Sequence, residues 1–219
     1  GTEDGFVTTW YDQSGNGNNA TQATAANQPK IVSSGTLVTE NGKAAMDFDG
    51  TDDYLFNTSL TIAGGTDAPM SSLVVGTSNN VTLSQRLYGF GDNVSFNPFT
   101  DLLFNASNIS YRKRSSSGTL KSTNGSTTLV NNTQYLFSTF TAGTTIDLYL
   151  NSAAEISAGD IDVPPLSINQ FGIGALLFGP SVGGYMNGTI QEQIFYASDQ
   201  SANRTGIEAN INDYYNIYP

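Results

Sequence analysis

The chain has 219 residues and a net charge of −11, from 8 Lys and Arg against 19 Asp and Glu, with no His and no Cys. The two absences exclude Ser-His-Asp and Cys-His catalysis, disulfides, and imidazole or thiolate metal sites, so any bound ion must be hard and oxygen-liganded. The acidic balance speaks against nucleic acid and anionic membranes; with only 12% of residues charged, polarity comes from Asn, Ser, Thr and Gly, as in turn-rich extracellular β proteins.

In chain order, strand-like runs alternate with turn clusters. Phe6–Tyr11 is β-branched and aromatic and breaks at Ser14–Asn19. Lys30–Val32, Ala44–Phe48 and Tyr54–Phe56 follow, with Asp49-Gly50 as a turn. Ser72–Gly76 is a short continuous apolar run, the pattern of a buried strand. Arg86–Gly91, Leu102–Phe104 and Ile109–Arg112 come next, then a loop at Ser115–Gly118. In the second half, Gln134–Phe140, Thr145–Leu150, Gln170–Gly174 and Gly188–Tyr196 complete the set. About a dozen short strands between Gly, Asn, Ser and Asp clusters predict an all-β, two-sheet antiparallel jelly-roll sandwich. Ile207, Ile211 and Tyr214 or Tyr215 recur at helical spacing, so one short C-terminal helix is expected over 201–215, capped by Ser201 or Asn203. No fixed-period repeat or linker divides the chain, and no run approaches the roughly 20 apolar residues of a membrane helix. A single domain over 1–219 is expected. The start at Gly1 rather than Met suggests a piece excised or processed from a longer protein.

Three segments carry a resemblance. They are Trp10–Gln22 with Gln28–Val32, then Asn41–Leu55, then Gly188–Tyr196 leading into the terminal helix. Together they resemble the concanavalin A-like lectin/glucanase superfamily in its LamG-like jelly-roll branch. Tyr11-Asp12-Gln13-Ser14-Gly15 with Thr21-Gln22 and Gln28-Pro29 is also similar to arabinofuranosidase B catalytic domains and to phage virion and bacterial surface proteins. The resemblance implies the sandwich fold. For function it implies a range, because this fold hosts lectins, glycosidases and structural modules. The arabinofuranosidases carry a vicinal disulfide in their pocket, whereas this chain has no Cys.

Several clusters could carry chemistry. Asp47, Asp49, Asp52 and Asp53 place four carboxylates within seven residues, and a cation would relieve their repulsion. Asp12 opens a stretch dense in side-chain oxygens that reads either as a calcium loop or as a turn bonding its own backbone. Calcium is therefore expected at Asp12, Asp49, Asp52 and Asp53. Sugar stacking is expected of Tyr88, Phe99, Tyr111 and Tyr185, aromatics in or beside turn-rich stretches, with Asn187 as a hydrogen-bonding neighbour. Trp10 sits in a strand and reads as core. Arg112, Lys113 and Arg114 read as a solvated hairpin end that could also meet an acidic glycan. The Glu-x-Asp-x-x-Glu strand of the glucanases is missing, and Glu155, Glu192 and Glu208 are isolated, so catalytic residues are not assigned.

The function expected is a non-catalytic glycan-binding or adhesion module, extracellular on a cell surface or virion. Its partners would be a glycan or polysaccharide and other surface or virion proteins, with no nucleic acid and no membrane insertion. The alternatives are an arabinofuranosidase-like hydrolase and a self-assembling capsid decoration or fibre subunit. A hydrolase requires two carboxylates in one cleft, one of them with a raised pKa.

Overall fold

The structure, a computed structural model, describes residues 1–59, 68–163 and 168–219. Two antiparallel sheets stack face to face. Sheet I runs in the order Gly5–Phe6, Lys30–Ser33, Met46–Asp49, Asn187–Tyr196, Met70–Ser78, Gln134–Ala142, Thr145–Leu150, Ala153–Asp160. Thr36–Leu37 adds to Lys30–Ser33. Sheet II runs Leu120–Asn124, Asn108–Arg114, Phe99–Asn105, Gln85–Gly91, Gln170–Ile173, Leu55–Asn57, Ala20–Thr21, Thr9–Trp10. The expected all-β sandwich with one C-terminal helix is what the chain forms.

Period-two alternation sends one set of side chains between the sheets. Phe48, Val74, Tyr88, Phe90, Phe104, Phe137 and Ile190 meet there, each at most 1% exposed. Val74 is followed by Val75, which faces the other way, so the central strand of sheet I is apolar on both faces. Its outer face is covered by the helix Arg204–Tyr215, which lays Ile207, Ile211 and Tyr215 on Leu73, Val75 and Ile194. Ser201–Asn203 forms a short 3-10 turn ahead of this helix, which therefore begins three residues later than expected. Asn203 stands at the N-cap position without a side-chain capping bond.

A hairpin of Leu176–Phe178 and Ser181–Gly183 covers the outer face of sheet II and was not legible in the sequence. The close fit requires glycine beneath it. A Cβ on Gly91 would lie 2.0 Å from the Leu177 carbonyl oxygen, and one on Gly172 would lie 2.3 Å from Leu177 Cδ1. Edge strands Leu120–Asn124 and Ala153–Asp160 were also missed, because their polar sequence lacks an apolar stripe. The Phe6–Tyr11 run breaks into two short strands, Gly5–Phe6 and Thr9–Trp10, which pair in different sheets.

Four expectations about exposure are corrected. Tyr88 and Tyr111 are 0% and 2% exposed and Phe99 is 6% exposed, so none of them offers a face to a sugar. All three lie on strands of sheet II, and Tyr88 and Tyr111 belong to the core between the sheets. The Arg112–Arg114 stretch is not a solvated hairpin end. Lys113 is buried, and Arg112 pairs with the fully buried Asp101, which Arg86 also reaches at 3.3 Å.

Candidate functional site

Two segments far apart in sequence converge at one rim of the sandwich. Strand pairing sets Asn187 opposite Asp49, and this brings the 49–54 turn against Tyr185–Asn187. Gly50 adopts φ +81°, and a Cβ there would come within 2.8 Å of Asn187 Cβ, so glycine is what allows the approach. The turn is held by its own acids. Asp49 Oδ1 accepts the Thr51 amide at 2.7 Å and the Asp52 amide at 3.3 Å, while Asp53 Oδ2 accepts the Asp49 amide at 3.0 Å.

Oxygens of Asp49, Asp52 and Asp53 all lie within 4.8 Å of one another. Asp53 is only 7% exposed. Burial, followed by the charges of Asp49, Asp52 and Asp47 and against the Asp49 amide bond, pushes its carboxyl up to about 6. Burial also raises Asp47. Beside the acids, the Tyr54 and Tyr185 rings sit 6.2 Å apart, both half-buried. The Tyr185 hydroxyl donates to the Val182 carbonyl at 3.4 Å, and burial with the nearby Tyr54 and Asp52 raises its pKa. Asn187 Oδ1 accepts from Asn79 Nδ2 at 2.9 Å, and the Asn187 amide donates to Gln85 Oε1 at 2.8 Å. Five expected site residues therefore share one rim: Tyr185, Asn187, Asp49, Asp52 and Asp53. Tyr54, Asn79 and Gln85 join them; sequence reasoning did not single them out, because their only signal was proximity after folding.

Asp12 stands apart from that trio. Its carboxylate accepts the Ser14 amide and hydroxyl at 2.8 Å each and the Asn18 amide at 2.9 Å. These bonds lower its pKa, the Ser14 hydroxyl contributing most. The hydrogen bonds of Asp12–Asn18 are those of a structured turn, and Asp12 is not part of the Asp49, Asp52 and Asp53 group.

A second feature is a cleft of about 1030 Å³ beside this turn. Its origin lies in strand lengths. Asn187–Tyr196 is paired along one flank by Met70–Ser78, but on the other flank Met46–Asp49 reaches only Asn187–Ile190. Gln191 fills the next step, its Nε2 donating to the carbonyls of Glu40, Lys43 and Ala44 at 3.0–3.3 Å. From Glu192 to Tyr196 no strand pairs with that flank among the described residues. Met70, Phe90, Phe171, Ile173 and Phe195 line the cleft, together with Trp10 and Tyr11, which lead into the turn. Trp10 is half-buried against the core, as expected, whereas Tyr11 is 66% exposed. Glu192 is half-buried in the same cleft, and burial raises its pKa against the opposing influence of the nearby Tyr215 hydroxyl, which itself donates to the Gln191 carbonyl at 3.4 Å.

No family model and no curated protein sequence matches the chain. Solved structures do match it in fold. A GH54 α-L-arabinofuranosidase soaked with 4-nitrophenyl α-L-arabinofuranoside aligns over 94% of this chain and 50% of its own, at 17% identity and TM-score 0.71. The NanB sialidase of Streptococcus pneumoniae aligns over 74% of this chain and 26% of its own, at 13% identity and TM-score 0.60. The CBM40 of the Ruminococcus gnavus IT-sialidase, bound to α2,3-sialyllactose, aligns over 63% of this chain and 80% of its own, at 10% identity and TM-score 0.53. The chain thus spans about a quarter of the sialidase and half of the arabinofuranosidase. At such identities the likeness is one of fold.

Proposed function

We propose that the chain is a glycan-binding module of an extracellular, cell-surface or virion protein, and that the sugar sits on the rim built by Tyr54, Tyr185, Asn187 and the Asp49–Asp53 turn. The observation that carries this reading is the convergence there of an aromatic pair, amide groups and three clustered carboxylates from segments over 130 positions apart in sequence. Half-exposed tyrosine faces suit the C–H face of a sugar, and the acids and amides suit its hydroxyls. A divalent cation belongs to the same proposal. Three carboxylates that form no ion pair among the described residues are hard donors of the calcium type, and Asp53 is the member whose ionisation a cation would restore. The sugar-bound CBM40 neighbour supports the reading as a precedent for this fold.

The test is calorimetric titration with a panel of neutral and acidic oligosaccharides, with and without calcium. Binding is expected for at least one sugar, weakened about tenfold by Tyr185→Ala. Heatless titrations across the panel would overturn it.

The hydrolase alternative has part of its requirement met, since Glu192 and Asp12 line one cleft and only Glu192 is raised. Both Asp12 oxygens, however, are engaged in holding the turn. Release of nitrophenol from the aryl arabinofuranoside, lost in Glu192→Gln, would restore that alternative. Among the described residues, no helix is long and apolar enough to cross a membrane.

A further inference from the structure

The cleft beside Glu192–Tyr196 has the features of a strand position. The flank is part of a central strand of sheet I, yet among the described residues no strand pairs with it on that side. At the far side of the sandwich the edges are closed against each other: Lys121 of Leu120–Asn124 bonds Asp160 of Ala153–Asp160 at 2.5 Å. Five unflanked residues span about 17 Å at ~3.3 Å per residue, enough to pair with a short strand. Unpaired strand edges are templates for added strands.

The two faces of the flank specify what would fit. Phe195 points into the sandwich with the core, while Ile194 and Tyr196 point outward to the helix. Glu192 shares the outward parity and meets Tyr215 there. Inward positions of an added strand would lie over Met70, Phe90, Phe171 and Ile173, all apolar. Outward positions would lie beside Glu192. The residues lining the cleft include two acids, Asp12 and Glu192, and no Lys or Arg. Gln193 adds an unfinished contact. Its Nε2 is fixed by Ser72 Oγ and the Leu73 carbonyl, while its buried Oε1 has no hydrogen-bond partner among the described residues.

From this we infer that the cleft seats an extended polypeptide segment, external to these 219 residues, which adds as a strand beside Glu192–Tyr196 with apolar side chains inward and a basic residue against Glu192. The site is separate from the sugar rim, so either reading can fail without the other.

The probe is a capped peptide of alternating valine and arginine, added to the full 219-residue chain. The single Trp of the sequence, Trp10, lines the cleft and reports occupancy by fluorescence. Saturable binding is expected, with slowed amide hydrogen exchange confined to Glu192–Tyr196 and the facing turn. Exchanging arginine for glutamate in the peptide should weaken binding about tenfold or more. Proline at alternate positions, which removes the N–H groups that pair with the edge, should abolish it. Glu192→Gln should weaken the arginine peptide several-fold and leave a valine–glutamine peptide unchanged. The inference is overturned by no binding at millimolar peptide or by binding without protection of Glu192–Tyr196. It is equally overturned if an oligosaccharide, or a second copy of the chain seen by sedimentation, protects that edge and the peptide does not compete.

Discussion

The turn Asp12–Asn19 and the turn Asp49–Asp53 are written in the same alphabet of Asp, Ser, Thr, Asn and Gly, and they end in opposite electrostatic states. In the first, one carboxylate gathers three hydrogen bonds and Asn19 Oδ1 accepts the Asp12 amide at 2.8 Å, so the acid is held ionised by its own loop. In the second, three carboxylates crowd within 4.8 Å and the most buried of them is pushed up to about 6. Density of side-chain oxygen is therefore not what marks a site. What separates the two is burial first, and then whether donors in the same turn already satisfy the charge. Asp12 has them. Asp53 has a single backbone amide.

That contrast can be broken at four points. The largest effect is expected at Gly50, which lets the second turn meet Asn187. Gly50→Ala adds a Cβ at 2.8 Å from Asn187 Cβ at φ +81°. It should cost about 2–3 kcal/mol, read as a drop of roughly 6–10 °C in Tm. Next, Asp12→Ala strips the first turn of its three acceptor bonds and should cost about 1–2 kcal/mol at pH 7. Because Asp12 is lowered in the folded chain, its stabilisation is present above its unfolded pKa and fades as pH falls, so the deficit of the variant should shrink in acid.

Asp53 should behave in the reverse sense. Burial pushes its folded carboxyl up to about 6, above the usual 3.8, so the folded state is favoured while the group is protonated and loses stability as pH rises between those values. Asp53→Asn should therefore stabilise the cation-free protein at pH 8 by about 1–2 kcal/mol, after allowing for solvent screening at the rim, and change little at pH 4. A melt of the variant that is no higher than wild type at pH 8 would remove the buried-acid account. The smallest effect is calcium itself. A millimolar excess should raise wild-type Tm by a few degrees, an effect kept in Asp12→Ala and lost in Asp53→Asn. A shift that persists without Asp53, or fails to appear in wild type, would place the cation elsewhere or nowhere.

The same contrast shows why part of the site was legible in the chain and part was not. Asp49, Asp52 and Asp53 are neighbours in sequence, so their crowding could be counted directly. Tyr185 and Asn187 were singled out from glycine-rich surroundings, and the fold sets them against the acids. The identical argument failed for Tyr88, Phe99 and Tyr111. These lie close to loops in sequence but within strands of sheet II, where they are buried. Turn residues nearby say that the chain will reverse; they do not say whether a ring two or three positions away points in or out.

Alternation, turn chemistry and the helical spacing of Ile207, Ile211 and Tyr215 were enough to specify strands, a sandwich and a terminal helix. Composition alone removed His and Cys chemistry. Each of these is a local or additive property, readable without knowing any neighbour. Tertiary structure alone decided that residues 49–54 meet 185–187, that a glycine-lined face of sheet II takes a hairpin, and that among the described residues no strand pairs with one flank of Glu192–Tyr196. Those outcomes depend on which distant strand pairs where and for how many residues. Strand periodicity records the inward and outward faces of a segment, but it carries no information about the segment's two edges, and at this protein's rim and cleft the edges determine what is brought together and what is left open.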